Sequence, residues 1–239
     1  MDDHAVAAEL AREAGQLLLE IRDQGGAVGD RRSDDLLLRR LAELRPDDAV
    51  LSEESTDDPV RLSRNRVWIV DPLDGTREYG QPPRADWAVH VALAVDGRAE
   101  VGAVALPVPG LVLETGTPPV LPPAHDGPPR IVVSRSRPPA CVHHLTAVLG
   151  AETIPMGSAG AKAMAVVRGE ADIYAHSGGQ YEWDSCAPVA VAAAAGLHTS
   201  RLDGSPLVYN RPDPYLPDLL ICRPEWADRV LKALRDFGI

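Results

Sequence analysis

Two aspartates stand three residues apart in the stretch Val67–Tyr79, which reads Val-Trp-Ile-Val-Asp-Pro-Leu-Asp-Gly-Thr-Arg-Glu-Tyr. The apolar run before Asp71 is typical of a buried strand, and we expect the proline after it to end that strand because proline cannot donate a ladder hydrogen bond. Gly75 and Thr76 follow Asp74 and can open a helix whose free N–H groups face an anion. This combination suits a divalent cation with a phosphate ester. An explanation without a ligand exists for each half of this stretch. An Asp-Pro turn would explain Asp71 and Pro72, and an Asp helix cap would explain Asp74.

Three further acids stand at the ends of predicted elements. Glu53 ends a short strand in Leu-Ser-Glu-Glu-Ser, Asp184 begins an Ala-rich helix, and Asp34 opens the second helix of the chain. Each also has an explanation that needs no ligand: a helix N-cap for Asp184, an exposed acidic loop for Glu53, and an ordinary first-turn acid for Asp34.

The hydrophobic pattern of the first half predicts two helices followed by a mainly antiparallel sheet. The predicted elements are a helix over residues 4–22, a Gly-rich loop over 25–29, a helix over 34–45 capped by Ser33, and strands over 49–52, 67–70, 87–95, 99–106 and 111–114. The Asp96-Gly97 pair between two of these strands is a strong hairpin signal. We expect a linker over residues 118–129, where six of twelve residues are proline.

The second half alternates strands and helices, which predicts a three-layer α/β unit. The predicted elements are strands over residues 130–134, 153–156 and 171–176 and helices over 139–149, 158–168, 185–195 and 225–237. The fold class is therefore layered, α+β in the first part and α/β in the second. We place the boundary so that residues 1–120 form an N-terminal part with most of the acids and residues 121–239 form a C-terminal part that supplies Asp184.

Composition narrows the class of protein. The chain has 239 residues and a formal net charge of −11, which argues against a nucleic-acid binder because such proteins need a basic face. The cysteines Cys141, Cys186 and Cys222 are odd in number and far apart, so we expect reduced thiols. No run approaches membrane-spanning length, and the acidic start is wrong for a signal peptide. These features predict a cytoplasmic protein with no membrane or nucleic-acid partner.

The chain resembles the inositol monophosphatase superfamily of magnesium-dependent, lithium-sensitive phosphatases. Two long motifs carry the resemblance, Trp-Ile-Val-Asp-Pro-Leu-Asp-Gly-Thr-Arg-Glu-Tyr over 68–79 and Trp-Asp-Ser-Cys-Ala-Pro over 183–188, with Ser-Glu-Glu at 52–54 and Gly-Ser-Ala at 157–159 in the family's order. The resemblance implies alternating α-β-α-β-α layers, two or three Mg²⁺ ions, inhibition by Li⁺ and a homodimer. Haloacid-dehalogenase phosphatases are excluded because their two aspartates are two residues apart, not three.

The resemblance also implies a role for each site residue. The metal ligands would be Glu53, Asp71, the carbonyl of Leu73, Asp74 and Asp184. The catalytic pair would be Thr76 hydrogen-bonded to Asp34, which together orient a metal-activated water for attack on phosphorus. The substrate would contact Glu53, Leu73, Asp74, Gly75, Thr76, Ser158, Lys162 and Asp184. The segment before the second helix departs from the family's Thr-x-x-Asp pattern, so Asp35 or Asp30 could replace Asp34 as the partner of Thr76.

The residues after Thr76 indicate the substrate. Arg-Glu-Tyr at 77–79 and Ser-Arg-Ser at 134–136 are similar to the 3'(2'),5'-bisphosphate nucleotidase branch (CysQ type), whereas inositol-type members tend to have Thr-Asn-Phe after the threonine. This implies release of the 3'-phosphate of 3'-phosphoadenosine 5'-phosphate (PAP) to give AMP, with the sulfated precursor PAPS as a second substrate. Lys162 or Arg135 would contact the second phosphate, although each could equally be an ordinary surface cation.

Two alternatives stay open at this point. A phosphatase for inositol 1-phosphate or fructose 1,6-bisphosphate would use the same metal site. A non-catalytic, metal-dependent sensor of a phosphorylated ligand would be expected to lack one of the metal acids or the hydroxyl, and all are present here. Candidates for an adenine pocket are Tyr79, Tyr181 and His198.

Overall fold

The computed structural model, which describes residues 1–124 and 126–239, contains two five-stranded sheets with helices between and outside them. His125, which falls in the predicted linker over 118–129, lies outside the described residues. The layers alternate α-β-α-β-α, which confirms the predicted fold class. Apolar faces of helices and sheets must be buried against another element, and this stacking forms three buried apolar clusters, one between the sheets and one on the outer face of each.

The first sheet has the strand order β1-β2-β3-β4-β5. Its strands are β1 (Ala49–Ser52), β2 (Arg66–Asp74), β3 (Ala88–Val95), β4 (Arg98–Leu106) and β5 (Leu111–Glu114). Helices α1 (Asp3–Glu20) and α2 (Gly26–Leu44) cover its outer face, and the short α3 (Thr76–Tyr79) follows β2. Only β1 and β2 pair in parallel, so the sheet is mainly antiparallel, as the pattern predicts.

The second sheet has the order β7-β6-β8-β10-β9. Its elements are β6 (Arg130–Ser134), α4 (Ala140–Leu149), β7 (Glu152–Met156), α5 (Ala159–Val167), β8 (Ile173–Tyr181), α6 (Glu182–Ala194), β9 (His198–Ser200), β10 (Tyr215–Cys222) and α7 (Pro224–Phe237). Helices α4 and α7 cover its outer face, while α5 and α6 lie between the two sheets. The sequence analysis missed β9 and β10, although the apolar run Leu-Leu-Ile-Cys at the end of β10 is a strand signal.

Small residues let α6 lie close against the first sheet. A Cβ atom at Gly102 on β4 would stand 2.7 Å from the carbonyl oxygen of Ala187 and 2.8 Å from the Cβ of Ala190. The Ala-rich segment is buried along most of its length, as predicted. This close approach brings the start of α6, with Asp184, toward the end of β2.

Helix α2 begins eight residues earlier than the sequence predicts. The Gly-rich segment expected to be a loop is helical from Gly26, and Ser33 is not a cap but a buried residue whose hydroxyl donates to the carbonyl oxygen of Pro72 at 2.8 Å. Tertiary contact explains the difference, because a Cβ at Gly26 would stand 2.4 Å from Cγ2 of Thr76. Glycine weakens a helix by only about 1 kcal/mol, so packing against the turn after β2 can override its preference.

Strand β2 does not end at Pro72 as predicted but continues to Asp74. The pairing of β2 with β3 shifts register between Asp71, which faces His90, and Asp74, which faces Ala88. Such a bulge accommodates a proline that cannot donate to the ladder, and it turns the flanking side chains out of their regular alternation. Both aspartates are therefore held by a strand on a rigid scaffold.

The apolar cluster between the two sheets includes residues from both halves of the chain. The division at residues 120 and 121 stays a prediction. Among residues 1–124 and 126–239, none of the helices is long and apolar enough to span a membrane.

Candidate active site

Four carboxylates from three separate elements lie within electrostatic reach of one another. Glu53 directly follows β1, Asp71 and Asp74 flank the bulge of β2, and Asp184 lies in the first turn of α6. The parallel pairing of β1 with β2 places Glu53 beside the end of β2, where its N–H donates to the carbonyl oxygen of Val70. The structure thus brings together the four acidic side chains predicted as metal ligands.

The charges of these carboxylates oppose one another. Partial burial raises the pKa of Glu53 to about 7, and the negative charges of Asp184 and Asp74 contribute to the rise. Burial and then the charge of Asp74 raise the pKa of Asp184 to about 7. Burial and then the charge of Glu53 raise the pKa of Asp71 well above its ordinary value. When these carboxylates are ionised, their negative charges repel one another. A divalent cation bound to their oxygens would compensate this negative charge.

His90 belongs to this cluster and is absent from the residues predicted from the sequence. Asp71, Asp74 and His90 each offer a ligand atom, and these atoms lie within 4.8 Å of one another. The side chain of His90 is fully buried. A signal was available in the sequence, because His90 is the one polar residue in the apolar run over 88–95, and buried polar groups need partners.

Asp74 differs from the other carboxylates because donors surround it. Ser158 Oγ and the Gly160 N–H donate to its Oδ2 at 2.5 and 2.6 Å, and the Ala159 N–H donates to Oδ1 at 3.1 Å. Burial alone would raise the pKa of Asp74, but the contact with His90 and the Ser158 hydrogen bond outweigh it and lower the pKa to about 2. Asp74 is therefore ionised and fixed at the start of α5.

Thr76 makes no hydrogen bond to Asp34 in the described part of the chain. Thr76 Oγ1 donates instead to Oδ1 of Asp30 at 3.3 Å, whereas the two carboxylate oxygens of Asp34 accept from Ser52 Oγ at 2.5 Å and Ser55 Oγ at 2.6 Å. The prediction that Asp34 partners Thr76 is wrong, and Asp30, one of the alternatives, takes that place. The physical reason is the early start of α2, which brings its first turns against the turn after β2.

The environment of Asp30 suits proton transfer near neutral pH. Burial and then the negative charge of Glu54 raise the pKa of Asp30 to about 6. Efficient general bases have pKa values near the working pH, and they must lie within hydrogen-bond reach of the group they act on. Asp30 meets both conditions through Thr76, which also lies 3.3 Å from the carbonyl oxygen of Leu73.

A cavity of about 520 Å³ opens beside the cluster. Among the residues predicted to bind substrate, its wall includes Asp74, Gly75, Thr76, Ser158, Lys162 and Asp184. Glu53 and Leu73 lie outside that wall, and the buried Leu73 reaches the site through its carbonyl oxygen.

Basic side chains form another part of the cavity wall. Lys162 is buried, which lowers its pKa, and its Nζ donates to the carbonyl oxygens of Gly157, at 2.9 Å, and Ser158. Arg135 forms an ion pair with the buried Glu78, and Arg137 is exposed. This wall can hold an anion.

Two hydrogen-bond acceptors on β8 have no partner within residues 1–124 and 126–239. His176 Nε2 bonds to the carbonyl oxygen of Gly178 at 2.8 Å, and burial lowers the pKa of His176 to about 4, so the ring is neutral and its buried Nδ1 is an acceptor. The amide nitrogen of Gln180 donates to the hydroxyl of Tyr174 at 2.8 Å, which leaves the buried Gln180 Oε1 unpaired among the described residues. Both residues line the cavity, and these two atoms are themselves buried.

The candidates for an adenine pocket do not line this cavity. The hydroxyl of the buried Tyr79 donates to the carbonyl oxygen of Leu18, and His198 bonds to Ser200. Tyr181 stacks on Trp183 with their ring centres 4.9 Å apart. A base bound in the cavity would therefore meet other side chains.

Known proteins resemble this chain in sequence and in fold. The sequence pattern of the inositol monophosphatase family matches residues 3–117 and 131–237. A 3'-phosphoadenosine 5'-phosphate phosphatase of Mycobacterium tuberculosis is 53% identical over 94% of this chain and 90% of its own length. The 3'(2'),5'-bisphosphate nucleotidase CysQ of Escherichia coli K12 is 32% identical over 87% of this chain and 94% of its own. The crystal structure of CysQ from Bacteroides thetaiotaomicron superimposes with a TM-score of 0.81 at 26% identity, covering 92% of this chain and 97% of that one.

Proposed function

Since this chain belongs to the inositol monophosphatase family, we propose that it is a Mg²⁺-dependent phosphomonoesterase that removes the 3'-phosphate of 3'-phosphoadenosine 5'-phosphate (PAP) to give AMP. The observation that carries the proposal is a single cavity that joins an acidic cluster to a basic wall. The acidic cluster suits a cation with the phosphate to be cleaved, and the basic wall suits a second phosphate.

The ligands proposed for Mg²⁺ are Glu53, Asp71, the carbonyl oxygen of Leu73, Asp74 and Asp184. All are oxygen ligands, which Mg²⁺ prefers; two ions would balance the charge of the four carboxylates, and a third would balance that of a bound phosphate dianion. When bound, the ions supply Lewis-acid stabilisation of the phosphate and lower the pKa of water. The same ligands explain the expected inhibition by Li⁺, a small cation that also prefers oxygen.

Thr76 and Asp30 are proposed to handle the proton of the attacking water. The Thr76 hydroxyl accepts a hydrogen bond from the water and donates its own hydrogen to Asp30 Oδ1, 3.3 Å away. The carboxylate of Asp30, with its pKa raised to about 6, then takes up the proton. The neighbouring carbonyl of Leu73 limits the positions open to the Thr76 hydroxyl.

The basic wall favours a substrate with two phosphates. Arg137 forms no ion pair with the part of the chain that the structure describes, and Lys162 is bonded only to backbone carbonyls there. A second phosphate would give both cations a partner, whereas inositol 1-phosphate would not. PAPS, with the same adenosine and 3'-phosphate, is a second expected substrate.

Rates of phosphate release from four esters test the proposal: PAP, 3'-AMP, inositol 1-phosphate and fructose 1,6-bisphosphate, each at equal concentration with Mg²⁺. One charge-assisted hydrogen bond contributes about 1.5–3 kcal/mol, so kcat/KM for PAP should exceed that for 3'-AMP by at least about tenfold. Arg137→Gln should reduce this ratio, while Arg98→Gln, which changes an exposed arginine on β4, should not.

Other results would change the assignment. Equal or higher rates on the two sugar phosphates would favour the alternative phosphatase with the same metal site. PAP binding without release of phosphate from any ester would favour the non-catalytic sensor. The family resemblance further suggests a homodimer, which sedimentation would test, and a cytoplasmic location stays a prediction.

A further inference from the structure

His90 joins two segments that come from different halves of the chain, the end of β2 with Asp74 and the start of α6 with Trp183. Its Nδ1 lies 2.9 Å from the carbonyl oxygen of Trp183, the residue directly before Asp184, and its Nε2 lies 3.2 Å from Oδ2 of Asp74. We infer that His90 is a positioning residue that holds Asp74 and the start of α6 at a fixed separation, so that the cation site is formed before a cation binds. The inference rests on the proposed function, because it assigns a role to a residue behind the proposed metal ligands.

The hydrogen bond to Trp183 determines how the ring of His90 is oriented. A carbonyl oxygen can only accept, so Nδ1 carries the hydrogen and donates it. This bond directs the opposite edge of the ring, with Nε2, toward Asp74. The 3.2 Å contact of Nε2 with Asp74 Oδ2 does not meet the geometry of a directed hydrogen bond, and it is a polar contact between the edge of the ring and a carboxylate oxygen. One side chain therefore contacts an acid from β2 and the backbone of α6.

The packing around Nε2 indicates that His90 positions a ligand and is not itself a ligand. A Cβ atom at Gly160 would stand 2.0 Å from Nε2, so the backbone of α5 lies directly against this nitrogen. The Gly160 N–H also donates to the same Oδ2 of Asp74. Mg²⁺ keeps several of its waters when it binds to proteins, and a fully buried nitrogen covered by a helix backbone leaves no room for them.

Repulsion among the carboxylates is the reason such a contact is needed. The four carboxylates of the cluster carry like charges when they are ionised, so they repel one another until a cation binds. A contact that fixes Asp74 relative to the start of α6 reduces the reorganisation that cation binding requires. Partners behind metal ligands typically change metal affinity or activity by about 10- to 100-fold when they are replaced.

Two substitutions test the contacts of His90 with Trp183 and with Asp74 one at a time. In His90→Asn the amide nitrogen is near the place of Nδ1 and can donate to Trp183, but the contact with Asp74 is lost. In His90→Gln the longer side chain can place its amide nitrogen near Asp74. The matched control is His143→Gln, which changes an exposed histidine on α4.

Mg²⁺ affinity in the absence of substrate is the main measurement, by calorimetry and by the rise in Tm that Mg²⁺ produces. We expect His90→Asn to bind Mg²⁺ about 10- to 100-fold more weakly, His90→Gln to recover part of that loss, and His143→Gln to match the wild type. In turnover, the weaker variants should need more Mg²⁺ for half-maximal rate and should approach the wild-type kcat at saturating Mg²⁺. A merely structural role would lower Tm without changing the Mg²⁺ requirement.

Several results would overturn the inference. Wild-type Mg²⁺ affinity in a folded His90→Asn would do so, and so would unchanged Mg²⁺ affinity together with loss of Mn²⁺ binding, which would identify a nitrogen ligand. If the single variants do not fold, His90→Ala combined with Gly160→Ala fills the space with two methyl groups and lacks the nitrogen, and we expect it to fold and bind Mg²⁺ weakly. Mg²⁺ affinity does not depend on which ester is hydrolysed, so a wrong substrate assignment would leave this result unchanged.

Discussion

Thr76 Oγ1 and Asp30 Oδ1 lie 3.3 Å apart and join the first turns of α2 to the turn that follows β2. The contact depends on Gly26, because any side chain there would collide with Thr76. It gives the Thr76 hydroxyl an acceptor that is partly buried and close to the proposed cation ligands. A second nearby acid, Asp34, accepts hydrogen bonds from two serine hydroxyls, one on each carboxylate oxygen, and none from Thr76.

Asp30→Asn should distinguish the role of Asp30 from that of Asp34. The substitution keeps the shape of the side chain but removes the proton acceptor, so kcat should fall by about 10²- to 10⁴-fold with little change in KM. Asp34→Asn is the matched control and should lower Tm, because it disturbs a buried acid with two hydroxyl donors, while kcat stays within about tenfold of wild type. A large loss of kcat in Asp34→Asn alone would restore the sequence-based assignment.

Asp74→Asn should weaken the cation site more than any substitution of a residue that only contacts the metal ligands, such as His90. The substitution eliminates the carboxylate of the cluster whose pKa is lowered to about 2 and places an uncharged amide among the donors of α5. We expect Mg²⁺ affinity measured by calorimetry to fall by more than the roughly 100-fold seen for outer partners. Asp47→Asn, at an exposed position, should bind Mg²⁺ normally. Normal Mg²⁺ binding in folded Asp74→Asn would contradict the proposed ligand set.

The stability of the cation-free protein should fall as the pH rises. The pKa values of Glu53 and Asp184 are raised to about 7 in the folded chain from ordinary values of 4.5 and 3.8. A raised acid pKa means that the folded state holds the proton more tightly, so the associated stability is complete below about pH 4 and is lost as the pH passes through 7. Tm measured in a chelator should therefore decrease between pH 5 and pH 8.

Mg²⁺ should reverse that trend, because it binds the ionised carboxylates and competes with their protons. Its stabilising effect on Tm should be small at pH 5 and larger at pH 8, and each 1 kcal/mol corresponds to about 2–4 °C for a chain of this size. Asp184→Asn should flatten both profiles. A Tm that rises from pH 5 to pH 8 in chelator would show that the acids are not held together in the folded protein.

Li⁺ should inhibit phosphate release at millimolar concentrations or below. It is a small cation that prefers oxygen ligands, and we expect it to occupy one of the cation positions with a lower charge than Mg²⁺. Initial rates with LiCl, compared with KCl at the same ionic strength, would measure the effect. Equal rates in the two salts would argue against the proposed arrangement of cations.

The sequence by itself determined the chemistry and the layers of this protein. The residue types of the stretch 71–76 and of the segment around Asp184 are local information, and they identified the acids that the fold brings together. Apolar periodicity is also local, and it predicted most helices and strands and the layered class. These features depend on neighbours in the chain, which is why they could be predicted without a structure.

Only the tertiary structure decided which acid meets Thr76 and what lies behind Asp74. The start of α2 depends on its packing against the turn after β2, and this contact overrides the weak helix preference of Gly26. His90 contacts Asp74 and Trp183 because β3 pairs with β2 and α6 packs over both, contacts that join residues far apart in the chain. No spacing within the sequence contains that information, because it arises when separate elements pack together.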